Sequence, residues 1–139
     1  MSWSALAPSL KTLIDDDTGS GGLSETSGAN KVVATHFLEA PPEAAMPFLV
    51  LSPIDMPEDK TFANDIYTAT IQVSAWVDKE TQASTGADIQ DRVRTVFDRV
   101  APSPSGWTAT ACIVTNQRSF VELASFQYIT ELQVTMQKD

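Results

Sequence analysis

Residues 66–77 read IYTATIQVSAWV, and apolar and polar positions alternate along the stretch. Tyr67, Ala69, Ile71, Val73, Ala75 and Val77 fall on one side, and Ile66, Thr68, Thr70, Gln72, Ser74 and Trp76 on the other. Period-two alternation predicts a long strand with one core face and one mainly polar face. The segment from about Leu123 to Gln137 behaves alike: Phe126, Tyr128, Leu132, Val134 and Met136 oppose Gln127, Glu131, Gln133, Thr135 and Gln137, with Ile129 as an exception. Further strands are expected over VVATHFL (32–38), Phe48–Ile54, and Trp107 to about Thr115.

Two stretches carry the helical period instead. Trp3, Leu6, Leu10, Leu13 and Ile14 predict a short amphipathic helix over residues 4 to about 14. Pro8 belongs near a first turn, so the regular part is expected to begin there. Ile89, Val93, Val96, Phe97 and Val100 form one apolar stripe opposite Gln90, Arg92 and Arg99. Ser84 or Thr85 is the expected cap, with Asp88 in the first turn, and Pro102, Pro104 and Gly106 end the helix. The expected core takes Leu10, Phe48, Val50, Ile71, Val73, Val93, Phe97, Leu132 and Val134.

Between these elements lie two polar stretches, DDDTGSGGLSETSGAN from Asp15 and DMPEDKTFAND from Asp55. Both read as long loops, near 15–31 and 55–65, within a single domain spanning 1–139. The order is helix, strands, helix, strands. It predicts an α+β fold with a mixed, mostly antiparallel sheet of four to five strands and two helices packed on one face.

One segment breaks the alternation. In MPFLVLSP (46–53), Phe48, Leu49, Val50 and Leu51 are apolar in succession, so both faces of this strand need cover. The cover comes from more of this chain, from a ligand or from another copy of the chain. Trp76 raises the same question, because its register puts an aromatic on a polar face, where such groups mark contact surfaces.

Composition narrows the function classes. The net charge of −9 opposes nonspecific binding to nucleic acid, which needs clustered Lys and Arg. It serves solubility, or a surface that nucleic acid passes without sticking. No basic leader precedes an apolar run at the N-terminus, and no run approaches the ~20 residues that span a bilayer, so synthesis in the cytoplasm and no membrane partner are expected. His36 is the single histidine and Cys112 the single cysteine, which rules out a His-based metal cluster or an internal disulfide within one chain. The sequence has no G-x-S-x-G, P-loop or G-x-G-x-x-G. GSGG at 19–22 lacks a following Lys-Ser/Thr, and Asp15, Asp16 and Asp17 do not have the spacing of a calcium loop. No catalytic, cofactor-binding or metal site is expected, and the protein reads as a non-enzyme.

Several features in order resemble a known family. A short amphipathic helix and a variable loop precede Ala40-Pro41 and Met46-Pro47-Phe48-Leu49-Val50-Leu51; IQVSAWV follows, then ADIQDRVRTVFD and two closing strands. From Ala5 to about Met136 the chain resembles the tail terminator, or tail completion, proteins of long-tailed bacteriophages and phage-like gene transfer particles. The resemblance implies a homohexameric ring at the head-proximal end of the tail. Such a ring caps the tail tube, ends its polymerisation and meets the head connector or stopper. DNA passes through its lumen without specific binding, and no cofactor is used. It also suggests that a neighbouring subunit covers the second face of the 48–51 strand, so Leu49, Leu51 and Trp76 become candidate interface residues. The alternatives are another connector or stopper ring, and a small ligand-binding α+β domain.

Overall fold

The computed structural model describes residues 3–25, 32–56, 66–79, 83–121 and 125–139. In chain order these form α1 (Trp3–Asp15), β1 (Ala34–Phe37), β2 (Phe48–Asp55), β3 (Ile66–Asp78), α2 (Ala83–Phe97), β4 (Trp107–Ala109), β5 (Ile113–Val121) and β6 (Ser125–Lys138). The strands make one sheet in the order β1-β2-β3-β6, with β4 and β5 sharing the far edge of β6. Among the described residues only β1 and β2 pair in parallel. The fold is α+β, with a mixed, mostly antiparallel sheet.

β3 and β6 form its spine, paired without interruption from Ile66↔Gln137 to Asp78↔Ser125. Their alternating apolar residues share one face, because cross-strand partners always do. Tyr67, Ile71, Val73, Leu132, Val134 and Met136 are buried there in one cluster with Leu6, Leu10 and Ile14 of α1 and Ile89, Val93 and Phe97 of α2. α2 lies close against the sheet at Gly86, where an added Cβ would lie 2.2 Å from Tyr128 Cε2 and 2.9 Å from Val77 Cγ2.

The β2 register corrects the assignment of its faces. Leu49 pairs with Ala75 and Leu51 with Val73, so both leucines point at the helices and are fully buried in the core. Phe48 and Val50 pair with Trp76 and Ser74, on the face away from the helices. Leu49 and Leu51 are therefore core rather than subunit interface, and Phe48 and Val50 belong to the opposite face. Four apolar residues in a row carry no phase of their own; the register with β3 sets it.

Three local expectations also change. α1 runs through Pro8, which faces solvent. The buried Leu6, Leu10 and Ile14 hold the helix despite the lost hydrogen bond. α2 begins at Ala83, so Ser84 and Thr85 lie inside its first turn rather than capping it. The strand expected over 107–115 is two strands. At Cys112 the chain turns to the end of α2, donating to Val100 O (2.8 Å) and accepting from Arg99 N (2.7 Å), and then resumes as β5.

Asp17 organises the first part of the long polar loop. Its carboxylate accepts from Leu23 N (2.8 Å) and from Arg92 Nε of α2 (2.8 Å). Ser24 Oγ donates to Ile14 O (2.7 Å), and Leu23 is buried in the core. Residues 17–25, read from the sequence as the start of a long polar loop, are thus a bonded extension of α1. The remainder of that loop, and most of the one near 55–65, lie outside the described residues.

Candidate interaction surfaces

The face of the sheet away from the helices carries an aromatic row. His36 meets Phe48 edge-on at 5.5 Å, and Phe48 stacks with Trp76 at 6.4 Å. Pairing places them side by side, since His36 is opposite Val50 in β1–β2 and Phe48 opposite Trp76 in β2–β3. Beyond the row lies a polar strip in which Ser74 Oγ accepts from Gln72 Nε2 (2.9 Å) and Gln127 Nε2 (3.3 Å). The segment Leu38–Pro41 borders this face, leaving a groove of about 310 Å³ between itself, Phe48, Val50, Trp76 and Gln127. Phe48 and Val50 are each only 7% exposed. The chain's own fold therefore covers them, and a neighbouring subunit is not needed for that purpose. Trp76 is half-buried and remains accessible at the groove wall.

The β5 edge is different in character. Its strand is mostly exposed, and Ile113 (59%), Phe120 (46%) and Val121 (65%) present apolar side chains to solvent. Arg118 lies over the Phe120 ring at 5.8 Å and pairs with Glu131 at 2.6 Å. On the helix side, Gln117 Nε2 donates to Gln90 O and Thr130 Oγ1, both at 3.0 Å, tying the strand to α2. No further strand adds to its outer side among the described residues. Such an edge is open to strand or side-chain contacts with another molecule.

A third surface lies where α2 ends. Arg94, Asp98, Arg99, Cys112, Ile113 and Val114 line a groove of about 560 Å³. Asp98 Oδ1 accepts from Val114 N (3.0 Å). Arg99 adopts φ 64°, the left-handed position that ends helices and is usually filled by glycine. Cys112 is fully buried, and burial, with the Asp98 charge adding to it, pushes its thiol up to about 12. It remains protonated at neutral pH and is not a nucleophile there.

The other chemical candidates stay apart. Trp3 packs edge-on against Phe37 at 6.5 Å, and Trp107 against Tyr67 at 5.7 Å, so both serve packing. Among the described residues no three His, Cys, Asp or Glu side chains come together as a metal site. No helix among them is long and apolar enough to cross a membrane. The sequence points to Trp76 but not to the arginines around the α2 groove. A signal was present: all four arginines of the chain fall between residues 92 and 118.

No protein-family profile matches this chain, and no curated protein matches it in sequence. Solved structures do match its fold. A chain from the virion of a native gene transfer agent particle superposes with a TM-score of 0.74 at 13% identity, covering 98% of this chain and 96% of that one. A solved protein of no stated function superposes with a TM-score of 0.70, also at 13% identity, over 100% of this chain and 98% of its own. At that identity the likeness establishes a shared fold over the whole chain.

Proposed function

We propose that this protein is a structural component of a phage-like particle. It assembles with copies of itself into a ring, with six subunits favoured, that sits on the head-proximal end of a tail tube. The ring ends tube polymerisation and joins the tail to the head connector or stopper. The observation that carries this reading is the full-length fold likeness to a chain of a gene transfer agent virion, which agrees with the family resemblance in the sequence. The surfaces support it: the chain exposes an edge strand, Trp76 at a groove wall and a groove lined by two arginines, materials for subunit contacts whose energy concentrates in a few anchors. A net charge of −9 repeated around a ring favours a lumen that DNA traverses without specific binding. The protein acts through shape and assembly, without catalysis or a cofactor.

The test is deletion of the coding sequence in a strain that makes the particle, followed by electron microscopy. The expected outcome is loss of joined particles, with tail tubes of uncontrolled length and heads lacking tails. Normal, joined tails in the deletion strain would refute the reading. Tails of normal length that fail only to join would place the protein at the connector instead.

A further inference from the structure

We propose that the basic groove at the end of α2 receives the Glu39–Glu43 segment of a second copy of this chain. The inference rests on the ring reading and names the contact that builds it.

The charge distribution singles out the groove. Of the four arginines, Arg92 is held by Asp17 and Arg118 by Glu131. Arg94 and Arg99 are exposed and have no ion-pair partner among the described residues, though both line the groove. Asp98 also lines the groove and keeps its charge while its Oδ1 accepts from the Val114 amide, so two arginines stand against one carboxylate and the lining is net positive. Arg99 also occupies a left-handed backbone position where glycine would be relaxed, so the guanidinium is kept there against local preference. Ile113, 59% exposed, adds an apolar contact at the groove wall.

The complementary element is EAPPE, residues 39–43. Glu39 and Glu43 are exposed and have no ion-pair partner among the described residues. The segment is already shaped: Glu39 N donates to Phe37 O (2.8 Å) and Ala44 N to Pro41 O (3.0 Å). Two successive prolines restrict it further, so docking it costs little additional ordering.

Topology makes the contact intermolecular. The acidic segment follows β1 at one edge of the sheet, and the groove adjoins β5 at the other. Donor and acceptor on opposite edges form a head-to-tail contact, which repeats and closes a ring when the rotation fits. Copies that each carry −9 repel one another at long range, and local pairing of opposite charges gives the encounter a defined register.

Charge reversal tests this in the full-length protein by sedimentation velocity and negative-stain microscopy. Arg94→Glu with Arg99→Glu, and separately Glu39→Arg with Glu43→Arg, should each lose the ring formed by the parent. A chain carrying all four substitutions should regain it. Arg94→Gln with Arg99→Gly, which removes charge and relaxes the backbone, should also weaken assembly while remaining folded by circular dichroism. If the reversed variants form rings as readily as the parent, the contact is wrong and the ring reading stands. A quadruple variant that stays monomeric while folded refutes the contact in the same way. A parent that forms no ring at any concentration or on purified tail tubes overturns the ring reading, and this contact with it.

Discussion

Gly86→Ala should destabilise the protein although alanine is the better helix former. In an exposed helix interior the change would stabilise by about 1 kcal/mol. Here the new methyl would meet Tyr128 Cε2 at 2.2 Å, Tyr128 Cδ2 at 2.8 Å and Val77 Cγ2 at 2.9 Å, all inside van der Waals contact. Tyr128 cannot simply swing away, because Phe126 packs edge-on to it at 6.2 Å and its strand is paired on both sides. The helix must retreat from the sheet or the ring must leave its rotamer, at a cost of about 1–3 kcal/mol. After the propensity gain, a net loss of up to about 2 kcal/mol remains. Urea denaturation would measure it, with an unchanged slope showing that only stability moved. The double variant supplies the control: in a Tyr128→Ala background only the milder contact with Val77 Cγ2 at 2.9 Å remains, and Gly86→Ala should cost less than in the parent, the propensity gain of about 1 kcal/mol offsetting more of the clash. A single Gly86→Ala variant more stable than the parent would refute the close approach of α2 to the sheet.

Three further outcomes follow from the same packing. Leu51→Ala, at a fully buried position facing the helices, should cost about 2–5 kcal/mol in chemical denaturation. Arg99→Gly should raise stability by about 0.5–1 kcal/mol by relieving the φ of 64°, while weakening self-association seen by sedimentation. The Arg92 guanidinium, with help from the Leu23 amide, holds the Asp17 carboxyl below its ordinary 3.8 despite burial. A lowered folded value means that this contact's stabilisation is present above pH 3.8 and is lost as pH falls below it. Asp17→Asn should therefore lower stability at neutral pH and flatten its acid dependence in pH-dependent thermal melts.

Alternation along β3 and β6 is written plainly in the sequence, because each strand has one face in the core and one outside it. The same logic fails where no alternation exists. Phe48–Leu51 is apolar throughout, so only pairing with Ala75 and Val73 shows that the leucines face the helices. β5 escapes notice beyond Thr115 because an exposed edge strand such as NQRSFV needs no apolar face. Leu23 is a single apolar residue amid Gly, Ser and Thr, yet it is fully buried beside α1. The Asp17–Arg92 pair spans 75 residues of sequence, a distance over which residue pattern carries no signal. Of the candidate surfaces, Trp76 is legible as an aromatic on a polar face. The groove between α2 and β5 is not, because it forms only when the chain turns from β6 at Cys112.

We propose that copies of this chain build a closed ring at the end of a tail tube. Electron cryomicroscopy of the purified protein, alone and added to tail tubes, tests it most directly. Closed rings of six subunits are expected on one end of the tube, with Arg94 and Arg99 of each subunit against the 39–43 segment of the next. Rings of another symmetry would contradict the six-fold arrangement, and bare tube ends beside free monomers would contradict the claim itself.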